Sequence, residues 1–146
     1  LGGGPLGLEL TSSKGKNPVY RVGQSMVLLI KGSKDFFLNC FYHDAKGNIF
    51  KIFPNRYFTD EKIKKNTLFR IPNTAMPFEF KVEPPVGNEN VVCFATNKSV
   101  DHLLPALIAE KDLEPIPTRL AKRLADIYNR LPGVKLSQST LNITVE

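Results

Sequence analysis

Apolar and polar residues alternate in short runs over the first two thirds of this chain, and turn residues cut the runs at close spacing. Residues 6–10 (LGLEL) alternate and predict an edge strand. After a polar loop, Tyr20–Gln24 (YRVGQ) leads into an apolar strand over 25–30, which the turn at 31–34 closes. Residues 35–43 alternate imperfectly. Phe36, Leu38, Cys40 and Tyr42 face one way, and Phe37, Asn39, Phe41 and His43 the other. Apolar residues on both faces predict a central strand, buried on one side and partly covered on the other.

Residues 44–48 read as a hairpin loop in which Gly47 supplies a positive φ. Residues 49–53 are the partner strand, and Pro54 stops it because proline has no N–H for the ladder. A charged loop follows over 56–66. Two short strands are expected at 67–71 and 78–82, with a turn at Pro72 between them. Residues 84–88 make a further turn, suited to a positive φ at Gly87, and 89–96 form a buried strand. Short strands at this spacing predict an all-β sandwich. The pattern then changes. Residues 100–111 have helical character that Pro105 weakens. Residues 118–131 are the clearest helix, with Leu120, Leu124, Ile127 and Leu131 in one stripe, Thr118 as N-cap and Pro132-Gly133 as the stop. Residues 140–146 alternate with Leu141, Ile143 and Val145 inward, a last strand returning to the sheet. The expected organisation is an N-terminal linker over 1–19 that includes the edge strand, then one domain over 20–146 with a helical insertion at 100–131.

Composition changes this picture little. A hydrophobic fraction of 42%, with 10 Phe and 4 Tyr, is enough for a real core. The net charge of +6 is ordinary for a small soluble domain. No apolar run is long enough for a membrane span. The opening LGGGPLG has neither the basic start nor the apolar run of a signal peptide and reads as a flexible linker, so any targeting signal or anchor is expected outside this stretch. Cys40 and Cys93 both lie in apolar strands. Two buried free thiols are the expectation, with a single bridge between neighbouring strands as the other reading.

The chain offers little chemistry to a motif search. His43 adjoins Asp44 and His102 follows Asp101, but neighbours on a strand point to opposite faces, so both read as turn or helix-start residues. Hydrolase, nucleotide-loop, zinc-protease and calcium-loop patterns are absent from the sequence. No catalytic residue, cofactor or metal is expected, nor is nucleic acid as a partner. The one candidate binding surface is the basic, aromatic loop over 56–70. There Arg56, Tyr57, Lys62, Lys64, Lys65 and Arg70 combine cations with aromatic rings, as a site for an anionic glycan would.

Several of these pieces stand in a fixed order: YRVGQ at 20–24, DFFLNCFYHDAKGNIFKIFPN at 35–55, RIPN at 70–73 and FEFKVEPPVGNENVVCFAT at 78–96. In that order they resemble the bacterial domain family of unknown function numbered 4384. Its pattern has a Tyr-x-x-Gly start, a strand pair around a Gly turn, a Phe-Pro-Asn stop, an Ile-Pro step and a Pro-x-Gly-x-Glu before an apolar strand. Gln24 here replaces the usual acidic residue. The resemblance implies an immunoglobulin-like antiparallel sandwich in an extracytoplasmic protein, periplasmic or on the cell surface. It also implies a non-catalytic interaction or assembly role with another envelope protein or with neighbouring domains. It supplies no activity.

Overall fold

The computed structural model describes residues 4–146. Its strands are β1 (Glu9–Ser12), β2 (Val19–Tyr20), β3 (Ser25–Met26), β4 (Leu28–Lys31), β5 (Phe36–His43), β6 (Ile49–Phe53), β7 (Lys62–Ile63), β8 (Phe69–Ile71), β9 (Phe80–Lys81), β10 (Gly87–Thr96) and β11 (Leu136–Val145). Three short helices, α1 (Ala106–Ala109), α2 (Thr118–Ala121) and α3 (Leu124–Asn129), fill the interval between β10 and β11. The protein is therefore mainly β. One sheet has the order β1-β4-β8, a second β2-β11-β10-β5-β6 with β7 also paired to β5, and β3 pairs with β9. Pairing is antiparallel except where β2 joins β11.

Strand β5 sits between β10 and β6, and its imperfect alternation has a direct cause. Phe36, Leu38 and Cys40 enter an apolar cluster with Leu10, Leu28, Ile30 and Ile71 of the three-stranded sheet. Phe41 points to the opposite side, into a second cluster with Phe94, Ile108, Leu120, Leu124 and Tyr128. The large sheet is thus covered on both faces, and the helical segment is the second cover. That segment also protects an edge. The N–H groups of Leu113 and Ile116 donate to the carbonyls of Lys51 and Ile49 at 2.8 Å each, so β6 does not present a free edge there. Lys51, only 3% exposed, donates its Nζ to the carbonyl of Ala109 at 3.0 Å, and burial lowers its pKa.

Several expectations need correction. Residues 6–12 pack on the domain rather than forming a linker, while 13–17 are exposed. Leu6, Leu8 and Leu10 are all buried, and the Leu6 N–H donates to Ser137 Oγ at 2.9 Å. Three leucines at alternate positions require apolar cover, and the sheet supplies it. Residues 1–3 of that expected linker lie outside the described residues. The helix expected over 118–131 is broken at the exposed pair Lys122 and Arg123, where the Arg123 N–H turns back to the Leu120 carbonyl. Pro117 rather than Thr118 holds the N-cap position. Leu120, Leu124 and Tyr128 form its buried stripe, while Ile127 and Leu131 pack at the border.

The expectation of free thiols is overturned. Cys40 and Cys93 are direct partners in the β5–β10 register and are joined by a disulfide, with Cα atoms 4.1 Å apart. Both residues are fully buried, and a sequence separation of 53 concealed their pairing. Among the described residues no helix is long and apolar enough to cross a membrane.

Candidate functional site

The hairpin between β5 and β6 and the segment leading into β10 form the two walls of a cleft of about 220 Å³. Each wall is set by local sequence. Gly47 adopts φ +91° in the turn. The Asp44 carboxylate braces that turn, accepting the N–H of Lys46 at 3.0 Å and of Asn48 at 2.9 Å through Oδ1. On the other wall Gly87, at φ +145°, takes the chain from Pro84-Pro85 into the ladder. No side chain is favoured in that region of backbone conformation.

The floor is apolar, made by Phe50, Ile52, Phe80 and Leu113. Tyr42 packs its ring 6.3 Å from that of Phe80, and Phe80 packs 5.2 Å from Phe78. Into this apolar base project two polar groups from paired strands, Tyr42 of β5 and Glu89 of β10. The Tyr42 hydroxyl donates to Glu89 Oε1, and the Ala45 N–H donates to Glu89 Oε2 at 3.2 Å. Glu89 therefore ties the hairpin turn to β10. It is 6% exposed and held by neutral donors alone. The one ion pair among the described residues joins Arg56 to Asp112, elsewhere on the surface. Burial pushes the Tyr42 hydroxyl far above its usual pKa, and the Glu89 hydrogen bond and the nearby Asp44 and Glu83 carboxylates add to that. Lys46 and Lys81 stand exposed on the rim. A cleft with an apolar floor and few convergent polar groups has the features of sites that hold a side chain or small ligand.

The residues expected to bind from the basic loop divide into two groups. Arg56 is committed to Asp112, with Nη2 3.1 Å from Oδ1 and the backbone N–H donating to Oδ2 at 2.6 Å. That contact holds the Asp112 carboxyl below its usual range although burial pushes it upward. Tyr57 is 45% exposed and packs its ring against Phe78. Two other rings of this loop are anchors: Phe58 and Phe69 pack on Phe53 and on each other at 5.0–5.7 Å. Lys62 and Lys64 are exposed, and Lys65 meets the β4–β5 turn. Lys62 lies opposite Phe37, the Lys65 N–H donates to Asp35 Oδ1 at 2.8 Å, and Lys34 and Lys65 line a shallow depression. Arg70 is exposed on β8, opposite Leu29. His43 is half-buried at the end of β5, and His102 is exposed in a 3-10 turn.

Motif reading missed Tyr42 and Glu89 as a pair. One signal was present, since Glu89 is the acidic residue of the Pro-x-Gly-x-Glu segment and stands before an apolar run.

A family model described as "Domain of unknown function (DUF4384)" matches residues 19–99, a span that contains every residue lining the cleft except Leu113. No curated protein matches the chain, and no solved structure does.

Proposed function

This chain belongs to the domain of unknown function family 4384, and we propose that it is a non-catalytic interaction module of a bacterial cell-envelope or secreted protein, working through the hairpin cleft. The observation that carries this reading is the Tyr42–Glu89 pair, with Glu89 buried, over the apolar floor of the cleft. Both walls come from the ordered segments on which the family resemblance rests. The inferred architecture is an immunoglobulin-like sandwich, supported by the shared core between the three-stranded and six-stranded sheets. An extracytoplasmic location is supported by the Cys40–Cys93 bridge, since disulfides persist mainly in oxidising compartments. The partner would be another envelope protein or a neighbouring domain.

The test compares the full-length protein with its Ala45→Trp variant, which fills the mouth of the cleft from a half-exposed turn position. Polypeptides that co-purify from cross-linked native cells should be lost in the variant and kept in a Lys62, Lys64, Lys65 to Ala variant. Retention of all of them in Ala45→Trp refutes the reading.

One observation favours a second reading, binding of an anionic polysaccharide or peptidoglycan-like polymer. The β4–β5 turn brings Lys34 beside Lys65 in one shallow depression, so a cation of that loop is joined by another outside it. Salt-sensitive binding to a sulfated polysaccharide, lost in the triple lysine variant, would support it. No binding at low salt would end it.

A further inference from the structure

We propose that the hairpin cleft takes a lysine or arginine side chain from a partner polypeptide, with its cation seated at Glu89 and its stem on Phe50 and Phe80. The inference rests on the cleft being the working surface of the module.

Charge and burial lead to this ligand class. A carboxylate withdrawn from water normally has a cationic partner or a metal, because desolvation of the charge is otherwise uncompensated. Glu89 is 94% buried by its 6% exposure, and its contacts within the chain are a phenol hydroxyl and one backbone N–H. Each carboxylate oxygen thus accepts one bond and keeps capacity for another. The other carboxylates of the cleft, Asp44 and Glu83, add to the negative field at the Tyr42 hydroxyl. The floor beside these carboxylates is apolar and aromatic, with the rings of Tyr42, Phe50 and Phe80 lining the cleft. Aromatic faces attract a cation, and apolar walls favour the methylene stem that carries it.

A bare metal ion fits less well. Among the described residues no set of three or more His, Cys, Asp or Glu side chains is placed to hold one. Lys46 and Lys81 on the rim would also repel a small free cation. A cation on a stem reaches past them, while the rim lysines can meet carbonyls or carboxylates flanking it on the partner. The volume of about 220 Å³ accommodates one long side chain. Neither rim lysine occupies the place itself, since neither forms an ion pair with a cleft carboxylate.

Amide chemical shifts of the protein, titrated with blocked single amino acids, test this. Nα-acetyl-lysine and Nα-acetyl-arginine methylamides should shift the amides of Ala45, Lys46 and Gly87 in a saturable way. The norleucine analogue, which keeps the stem and removes the charge, should bind at least about tenfold more weakly, and the glutamate analogue should not shift them. Glu89→Gln should weaken the lysine probe by a similar factor. The probe series on the unaltered protein decides the matter even if that variant folds poorly. Equal binding of norleucine and lysine overturns the cation assignment and leaves an apolar cleft. No shift with any probe also overturns it, and the co-purification comparison with Ala45→Trp then judges the cleft separately.

Discussion

Two asparagines do the same work in two places. Asn55 follows Phe53-Pro54, and Asn73 follows Ile71-Pro72, each proline joined by a cis peptide. The Asn55 amide donates to the Ile52 carbonyl at 3.0 Å, and its oxygen accepts the N–H of Tyr57 at 3.0 Å. The Asn73 amide donates to the Arg70 carbonyl at 3.2 Å and accepts from the Ala75 N–H at 3.0 Å. In both, a strand has just ended and the side chain satisfies backbone groups the ladder no longer serves. Asn55 is buried and Asn73 is not. Asn55→Ala should therefore lose about 2 kcal/mol in denaturant unfolding, and Asn73→Ala less than about 1 kcal/mol, because a buried unmet partner is costly and an exposed one finds water. Equal losses would refute this division. Glu61 poses a different problem. It is 8% exposed, Ser99 Oγ donates to its Oε1 at 2.5 Å, and its Oε2 has no partner. Burial raises its pKa, and the Asp101 carboxylate contributes. A folded-state pKa above the unfolded one means that the folded state holds the proton more tightly. The associated stability is full below the ordinary glutamate range and is lost as pH rises through the folded value. Thermal unfolding should show Glu61→Gln more stable than the parent at pH 8 and level with it near pH 4. A variant less stable than the parent at pH 8 would count against the burial of an ionised Glu61.

Among elements, β5 and β10 carry the structure. They share the register that pairs Cys40 with Cys93, and β10 also pairs with β11 along its whole length. Closing a long loop by a disulfide stabilises a domain by about 2–4 kcal/mol. Unfolded, unreduced protein should take up no thiol reagent, and two equivalents after reduction, as no cysteine is free. Uptake of two before reduction would show the bridge absent. Strands with long apolar runs, such as β5, and turns with fixed chemistry, such as Gly47 and Pro54, were legible in the sequence because local pattern decides them. Elements set by pairing were not. β7 is two residues inside a charged loop, yet Ile63 is buried against Phe36. β11 begins at Leu136, earlier than its clean alternation, because Ser137, Gln138 and Ser139 pair with β10 despite being polar. The disulfide was open to either reading until register placed the two cysteines opposite each other. Of the cleft, the turn and the Pro-x-Gly-x-Glu segment were visible, but the Tyr42–Glu89 contact depends on two strands meeting 47 residues apart.

For the whole molecule, one large sheet is covered on one side by the smaller sheet and on the other by the helical segment. The hairpin turn and the start of β10 remain at one end, where the cleft opens. The basic residues expected to act together are divided, with Arg56 held by Asp112 and Lys65 beside Lys34 at the β4–β5 turn. The two surfaces are therefore separable by mutation, and only one of them is a formed cleft with a buried carboxylate. A photo-crosslinking residue at position 45 of the full-length protein, activated in its native cells and compared with one at position 64, reads which surface meets a partner. The expected result is an adduct from position 45 to an extracytoplasmic polypeptide, attached within a few residues of a lysine or arginine, with little from position 64. Adducts from position 64 alone, or none from position 45, would show that the cleft is not the working surface.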